Sequence, residues 1–491
     1  MAEFKPCIQE QGMLFPPHIG DLIPDNHLVR VVSEIVEQLD LSDITKKYVY
    51  QGSEAYHPKI LVKVLFYGYS TGTLSSRRIA DKLKTDITFM WLAAMQKPDF
   101  RTISDFRKQH RPVIENLFIQ ISMLAAHMGL ISMRHVSIDG SKIKANASKY
   151  KAMSRGRLKQ EISKLENEIK KLLDLAEQTD RKEDSEDKPD ENTLPSGLSS
   201  KKERLAKLEQ ALKDLNEQKP EEKAKNQKEA DKQQINFIDK ESRIMKSQHH
   251  GVQQAYNAQI AVDEQVGLII GAGLTNNPFD NDQLIPLLKH VEKTNGRLPD
   301  KITADTGYFT AENINFCNEK TLDAYIAQTP ERKSKKNPFN KINFIYISEN
   351  DTYVCPEGKK LEYAITKTRN KGVKERVYHG VDCLKCPSQS KCVNHKSRTG
   401  VRHVYRTQND PVKESMRSKV QSEEGKKIYS KRKCIVEPVW GQIKAIQKFR
   451  QFSFRGLEAN TAELFLVTIG HNLRKIFFSM FPRENKGLLC N

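Results

Sequence analysis

The sequence has no apolar run long enough to cross a lipid bilayer. The longest such stretches, residues 267–274 and 464–467, fall far short of the roughly 20 residues that a spanning helix needs. The first residues, MAEFKPCIQEQG, also lack the basic start and the apolar run of a signal peptide. We therefore expect neither a membrane protein nor a secreted one.

Cysteine is too sparse for a disulfide framework, with 8 residues in a chain of 491. Four of them nevertheless cluster, because Cys355 is followed by Cys383, Cys386 and Cys392, with one CxxC spacing. Four thiolates suit a tetrahedral structural Zn²⁺, and His395 could replace one of them. A zinc site, reduced thiols without metal and disulfides all remain open from the spacing alone.

Acidic residues are outnumbered by basic ones, 62 against 81, which gives a formal net charge of +19. Such an excess favours a polyanionic partner, because basic side chains that neutralise phosphates release condensed counterions. Hydrophobic residues make up 37% of the chain, which is lean but sufficient for a core. The length predicts two to four structural units.

Residues 1–130 are predicted to be largely helical. Apolar residues recur at helical spacing in 28–41 and 59–69, and His57-Pro58 is a plausible helix start. Another helix is predicted from Thr102 to about Met128. A compact helical bundle would explain the pattern, but we favour a DNA-binding domain with basic residues for phosphates.

Residues 131–155 and 234–330 predict an α/β domain with a mixed sheet, because strands and helices alternate there. Asp139 is predicted to end a short strand and to be followed by a turn at Gly140, with a returning strand over residues 142–146. Asp305 is predicted to end another strand. An acid at a strand end projects into the crevice where ligands of such sheets usually lie.

Two insertions are predicted to interrupt this domain. Residues 156–233 are predicted to form a helical hairpin with an acidic loop over 180–197. The evidence is a heptad pattern of leucine and isoleucine in each helix: Leu158, Ile162, Leu165, Ile169 and Leu172 in the first, and Leu205, Leu208, Leu212 and Leu215 in the second. The hairpin could be a solvated protrusion, a dimer contact or a contact with DNA ends. Residues 331–410 form a β-rich insertion with the cysteines, and residues 411–491 return to the core as helices, with a break at Pro438.

Four ordered motifs resemble the DDE transposases of bacterial insertion sequences. They are Ser137-Ile-Asp139-Gly-Ser-Lys-Ile-Lys-Ala-Asn146, Ala255-Tyr-Asn-Ala-Gln-Ile260, Ala304-Asp305-Thr-Gly-Tyr308 and Val436-Glu437-Pro-Val-Trp-Gly-Gln-Ile-Lys444. The nearest group is the insertion-sequence 1182 relatives within the broader class of insertion sequences 4 and 5. Phe100 to Arg107 resembles the InsH-type N-terminal domain of that class. The resemblance implies an RNase H-like catalytic core, and thus an α+β multi-domain protein.

The resemblance also assigns roles to residues. Asp139, Asp305 and Glu437 would be the three acids that hold catalytic Mg²⁺, with Mn²⁺ as a substitute. Such metals lie about 3.5–4 Å apart, so the three acids must converge in space.

The family's helix signature maps to Tyr429, Arg432, Glu437 and Lys444, of which Tyr429, Arg432 and Lys444 would hold transposon-end phosphates. The gap from Arg432 to Glu437 is one residue longer than in better-known members, so Lys433 is an alternative. Trp440 could stack on an unpaired end base, but core packing is the better interpretation.

The implied reaction is cleavage at the ends of a mobile element, after which the freed 3′-hydroxyl attacks target DNA. The implied partners are double-stranded DNA and a second copy of the chain, in a homodimer that pairs both ends. A bacterial cytoplasmic, nucleoid-associated location follows from the same resemblance. A catalytically inactive, transposase-derived DNA-binding protein is the alternative, although all three acids stand in intact motifs.

Overall fold

A computed structural model describes residues 18–48, 55–183, 198–224, 226–247, 251–328, 338–368, 374–393 and 399–482. Most of the predicted acidic loop and His395 lie outside these residues. The described part is a mixed α+β structure. Within it, no helix is both long and apolar enough to cross a membrane.

In the N-terminal part of the chain, seven α-helices lie within the described residues. They are α1 (Leu28–Glu37), α2 (Ser42–Thr45), α3 (Pro58–Thr71), α4 (Ser76–Thr85), α5 (Ile87–Leu92), α6 (Phe100–Gln109) and α7 (Arg111–His127). The predicted start at His57-Pro58 is confirmed, because the His57 ring accepts a hydrogen bond from the Lys59 backbone N–H at 3.2 Å. The single helix predicted to run to about Met128 is wrong. It is two helices that separate at His110, just before Pro112, which lacks the N–H that a continuous helix would use.

The mixed sheet contains six strands: β1 (His135–Lys144), β4 (Arg243–Ser247), β5 (Gly251–Asp263), β6 (Ile269–Thr275), β7 (Lys301–Ala304) and β8 (Asp323–Ile326). Their order is β4-β5-β1-β7-β8, and β6 also pairs with β5. Strand β5 is antiparallel to β1, β4 and β6, whereas β7 is parallel to both β1 and β8. The short strands β2 (Ala152–Ser154) and β3 (Gln234–Asn236) pair separately. The predicted mixed sheet is therefore confirmed.

The N-terminal helices and the sheet share one hydrophobic core. The last helix, α18 (Leu457–Met480), is buried over most of its length and packs against α3, α7 and β6. Its Phe465 ring lies 5.3 Å from Phe118 of α7 and 5.4 Å from His290 of α11 (Leu284–Asn295). Because α18 contacts both parts, the helices pack directly onto the sheet.

A buried polar network also joins α18 to the N-terminal helices. Arg107, in the segment that resembles the InsH-type domain, is only 6% exposed. Its guanidinium donates hydrogen bonds to the Tyr69 hydroxyl at 2.9 Å and the Ser76 hydroxyl at 2.8 Å. The Tyr69 hydroxyl in turn donates to Glu463 of α18 at 3.3 Å. This arginine therefore supports the fold and is not available to a DNA phosphate.

The predicted hairpin consists of α8 (Arg155–Glu183) and α9 (Leu198–Gln218), which pack together along the leucine seam. Leu158 and Leu215 are fully buried in it. Arg155 fixes its base, because the buried guanidinium donates to the Lys219 carbonyl at 2.6 Å and to the Gln233 amide oxygen at 2.7 Å. The short helix α10 (Gln227–Lys232) follows and contacts α8.

The β-rich segment is a separate antiparallel sheet with its own small core. It is formed by β9 (Ile345–Ile347), β10 (Thr352–Val354), β11 (Lys360–Thr368), β12 (Lys374–Gly380) and β13 (His403–Thr407), and α12 (Ala311–Glu319) precedes it. The short helix α13 (Gln389–Cys392) lies between β12 and β13, and after β13 the chain continues through α14 (Asp410–Gln421), α15 (Glu423–Ser430), α16 (Arg432–Ile435) and α17 (Glu437–Ala445). Pro438 stands in the first turn of α17, which confirms the predicted break.

Candidate active site

Three carboxylates that are far apart in the sequence line one open cleft of about 660 Å³. Asp139 and Asp305 are neighbours because β1 and β7 are parallel and pair Ile138 with Ala304, the residue before each acid. Glu437 reaches the same cleft from the first turn of α17. The full lining is Asp139, Gly140, Ser141, Lys142, Lys246, Asp280, Asp305, Arg432, Glu437, Trp440 and Lys444.

Asp139 does not end its strand, so that part of the prediction is wrong. Strand β1 runs without a turn to Lys144 and pairs with β5 over nine residues. Gly140 is an extended strand residue, and its lack of a side chain matters here for the space it leaves beside the strand. A Cβ there would lie 2.5 Å from the Gln259 amide nitrogen and 2.9 Å from an Asp280 oxygen. Glycine therefore makes room for two polar side chains beside the acid.

Arg432 lies between two of the acids. Its guanidinium donates to Asp139 Oδ1 at 2.6 Å and to Glu437 Oε1 at 3.3 Å, and its side chain is 9% exposed. Lys433, the alternative from the sequence, is exposed and does not line the cleft. Helix α16, which carries Arg432, contacts β1. The structure thus brings Arg432 to the acids.

The other members of the predicted signature also lie near the acids. Lys444 Nζ donates to the Ser141 hydroxyl at 2.7 Å, and burial lowers the pKa of this lysine. Burial raises the pKa of the Tyr429 hydroxyl, on which the charges of Arg432 and the three acids also act. Trp440 is 6% exposed and packs in the main core, as the better interpretation predicted. Its indole N–H finds no hydrogen-bond partner among the described residues.

Asp280 is a fourth carboxylate in the cleft, and sequence reasoning missed it. It accepts hydrogen bonds from Lys142 at 2.9 Å, Asn257 at 2.7 Å and Gln259 at 2.9 Å, and Tyr308 donates to the Gln259 amide oxygen. A signal was present, since Asn257 and Gln259 are polar residues among the apolar residues in the middle of strand β5, and the structure buries both. Buried amides need partners, and here the partner is this carboxylate.

The cleft combines four acidic and four basic side chains. Burial raises the pKa of Asp139 to about 6, and the Arg432 guanidinium opposes that shift. Carboxylate oxygens are the hard ligands that Mg²⁺ prefers, and arginine and lysine are the side chains that bind phosphate. The donor set therefore fits both a divalent cation and a phosphodiester.

No group of three or more His, Cys, Asp or Glu side chains in the described ranges is arranged so that it could hold a metal ion as it stands. In the cleft, the guanidinium of Arg432 occupies oxygens of Asp139 and Glu437 that a metal would need.

The four clustered cysteines line a separate small cavity of about 20 Å³ in the β-rich segment. Cys355 Sγ accepts the Lys359 backbone N–H at 3.3 Å, and Cys383 Sγ accepts that of Arg402 at 3.5 Å. Burial raises the pKa of the Cys392 thiol. None of the six cysteines that the structure describes forms a disulfide.

A second open groove, of about 470 Å³, adjoins the far end of β1. Lys144, Asn146, Lys149, Tyr150 and Arg455 line it, and no acidic side chain is among the described residues of its walls. Tyr150 is 84% exposed. Because Asp139 and Lys144 share one strand, a polyanion that enters the cleft has a basic surface within reach along β1.

Two segments of the chain match family models. Residues 354–477 match a model described as Transposase DDE domain, which includes Glu437 and its neighbours but not Asp139 or Asp305. Residues 17–109 match a model described as Transposase domain (DUF772). No curated protein matches the chain. The two matches, one towards each end of the chain, together support a DDE transposase.

Proposed function

We propose that this protein is a DNA transposase that binds the terminal repeats of an insertion sequence, cleaves DNA at its ends and joins them to a target. The observation that carries the proposal is the convergence of Asp139, Asp305 and Glu437 on one cleft that also contains phosphate-binding cations. The antiparallel set β6-β5-β1 continued by parallel β7 and β8 supports an RNase H-like core. The insertion-sequence 1182 group remains the proposed subfamily.

Asp139, Asp305 and Glu437 would hold Mg²⁺, or Mn²⁺ in its place. When bound, such ions activate the attacking oxygen and stabilise the leaving oxygen of a phosphodiester. Arg432 and Lys444 would hold the phosphates of the element's end, Arg432 as a bidentate fork and Lys444 as a point charge. Tyr429 would contact the same DNA strand. Trp440 would support the cleft from the core side rather than stack on a base.

The proposed reaction has two displacements at phosphorus. In the first, a water oxygen bonds to phosphorus at the end boundary, the bond to the 3′ oxygen breaks, and that oxygen takes up a proton to become a 3′-hydroxyl. In the second, this hydroxyl loses its proton, bonds to a target phosphorus and displaces a 3′ oxygen of the target strand. Each step forms one P–O bond and breaks another, so no external energy source is needed.

The function is tested with a labelled DNA fragment that carries the element's own ends, a target plasmid and Mg²⁺. We expect nicking at the end boundary and joined products, and both should disappear when a chelator removes the metal. A synaptic complex that contains two chains would support the proposed homodimer. Binding without cleavage in Mg²⁺ or Mn²⁺ would instead favour a transposase-derived DNA-binding protein, and cleavage without joining would favour a nuclease.

We also propose that the cysteine cavity holds one structural Zn²⁺. Its support is the convergence of four thiols, Cys355, Cys383, Cys386 and Cys392, on a cavity about the size of one atom. Zinc would draw these sulfurs to about 2.3 Å from a common centre, since metal binding and local folding are coupled. This ion would be separate from the catalytic cleft.

Metal analysis of the chain purified without chelators should find about one zinc per chain, as a four-thiolate site predicts. Cys383→Ser with Cys386→Ser should lose the zinc, whereas Cys434→Ser should retain it, because Cys434 is exposed and outside the cavity. Zinc-free protein with four titratable thiols would show that the cysteines are simply reduced.

A further inference from the structure

We propose that Arg432 is a positioning residue with two alternative sets of partners. In the free protein it holds Asp139 and Glu437, and it exchanges them for a DNA phosphate when these acids take up metal. Metal binding and DNA binding would then favour each other. The inference rests on the proposed function, because it takes the three acids to be the metal ligands.

The contacts of Arg432 are those of a competitor for the metal site. Its guanidinium reaches one oxygen of Asp139 and one of Glu437. The hydrogen bond to Asp139 is 2.6 Å long, which is short even for a charge-assisted pair. Asp305 lines the same cleft but forms no ion pair with a cation among the described residues.

A guanidinium on these acids competes with a divalent cation. Arg432 uses one oxygen of each carboxylate and places a positive charge beside both, so it repels a Mg²⁺ ion and leaves it fewer of the oxygens that it binds at about 2.0–2.1 Å in near-octahedral geometry. In keeping with this, the three acids line one cleft but are not arranged to hold a metal ion in the described structure. Withdrawal of Arg432 from at least one acid would therefore favour the entry of metal.

The structure also shows why the exchange is feasible. Glu437 has a side chain that is 51% exposed and stands in the first turn of a helix, so it can leave the guanidinium at little cost. The Nε–H of Arg432 is buried without a partner among the described residues, so the present contacts do not satisfy the whole side chain. A phosphate offers several acceptor oxygens to such a fork. Lys142, Lys246 and Lys444 would draw that phosphate into the same cleft.

Thermodynamic linkage makes the effect reciprocal. If a phosphate on Arg432 frees the acids for metal, then metal on the acids must favour DNA by the same factor. This exchange of partners by Arg432 would weaken metal binding in the free protein until it has bound the DNA end of the element.

The test measures Mn²⁺ affinity of the full chain without DNA, from the electron paramagnetic resonance signal of unbound Mn²⁺. Arg432→Gln should bind Mn²⁺ about tenfold more tightly than the wild type. A tenfold change in affinity corresponds to less free energy than one charge-assisted hydrogen bond contributes. Lys444→Gln removes a positive charge from the same cleft without freeing an acid. It should change the affinity by about threefold or less, because Lys444 donates to Ser141 and forms no ion pair with the three acids among the described residues.

Arg432→Lys is a second variant in case Arg432→Gln does not fold, because it keeps a positive charge beside the buried Asp139. Its ammonium group cannot bind both acids as the forked guanidinium does. It should tighten Mn²⁺ binding by a few-fold, and end DNA should improve the Mn²⁺ affinity of the wild type more than that of either Arg432 variant. Equal Mn²⁺ affinities in the wild type, Arg432→Gln and Arg432→Lys would overturn the inference.

Asp139→Ala separates this failure from failure of the proposed function. Loss of Mn²⁺ binding in Asp139→Ala together with unchanged affinity in the Arg432 variants would overturn the exchange alone. Unchanged Mn²⁺ binding in Asp139→Ala would show that Asp139 is not a metal ligand, and this result would overturn both proposals.

Discussion

Replacing any one of Asp139, Asp305 or Glu437 by alanine is expected to abolish cleavage of end DNA while DNA binding persists. Each change removes a carboxylate from the cleft that would hold the metal ions. The loss of rate should exceed about a hundredfold, since removing a residue that merely orients a metal ligand already costs about 10- to 100-fold. Rates of nicking in Mg²⁺ and mobility shifts in a chelator measure the two properties separately.

Asp300→Ala is the matched control for these variants. Asp300 immediately precedes β7, whereas Asp305 immediately follows it, and the Asp300 side chain is 62% exposed in an ion pair with Arg297. The control should cleave at the wild-type rate, because it removes an acid at the opposite end of the same strand, outside the cleft. An acid variant that cuts as fast as this control would show that its residue is misassigned.

Arg107→Met is expected to destabilise the protein by about 3–5 kcal/mol, the usual consequence of removing one partner from a buried charged network. Arg107 donates to the Tyr69 hydroxyl, which donates to Glu463, and the Ser453 backbone N–H also donates to Glu463 at 2.8 Å. Glu463 is 1% exposed, so its charge depends on these partners. Chemical denaturation followed by circular dichroism would measure the change in the free energy of unfolding.

The same variant should show a distinctive pH dependence. Burial raises the pKa of Glu463 above its ordinary value, and the charge of Arg107 opposes that shift. A carboxyl with a raised pKa stabilises the fold at low pH, and this contribution is lost as pH rises through the folded-state pKa. Without Arg107 the pKa is raised further, so the deficit relative to wild type should be larger at pH 8 than at pH 5.

The control for this prediction is Arg101→Met, in the same helix. Arg101 is exposed and lies over the Phe100 ring at 5.8 Å from its centroid. Its replacement should change the free energy of unfolding by no more than about 0.5 kcal/mol, as is usual at surface positions. Equal effects of the two substitutions, or a deficit in Arg107→Met that does not vary with pH, would contradict the network.

Local sequence patterns predicted three features that the structure contains. The alternation of strands and helices predicted the mixed sheet, the heptad seam predicted two helices that pack together, and His57-Pro58 predicted a helix start. The motifs also identified the three acids that the structure brings to one cleft. The turn predicted at Gly140 was wrong for a physical reason. A glycine after an acid is typical of a turn, but here it accommodates Gln259 and Asp280 across the sheet.

Only the tertiary structure decided which side chains meet. Asp280 belongs to the cleft through hydrogen bonds to Asn257 and Gln259 that no local pattern encodes. The N-terminal domain was predicted to offer basic residues to phosphates, yet long-range packing buries Arg107 of that domain against Tyr69 and Ser76. The sequence determined the residue types and elements because these follow from near neighbours. Partners such as Arg432 and Asp139, 293 residues apart, depend on how distant elements pack.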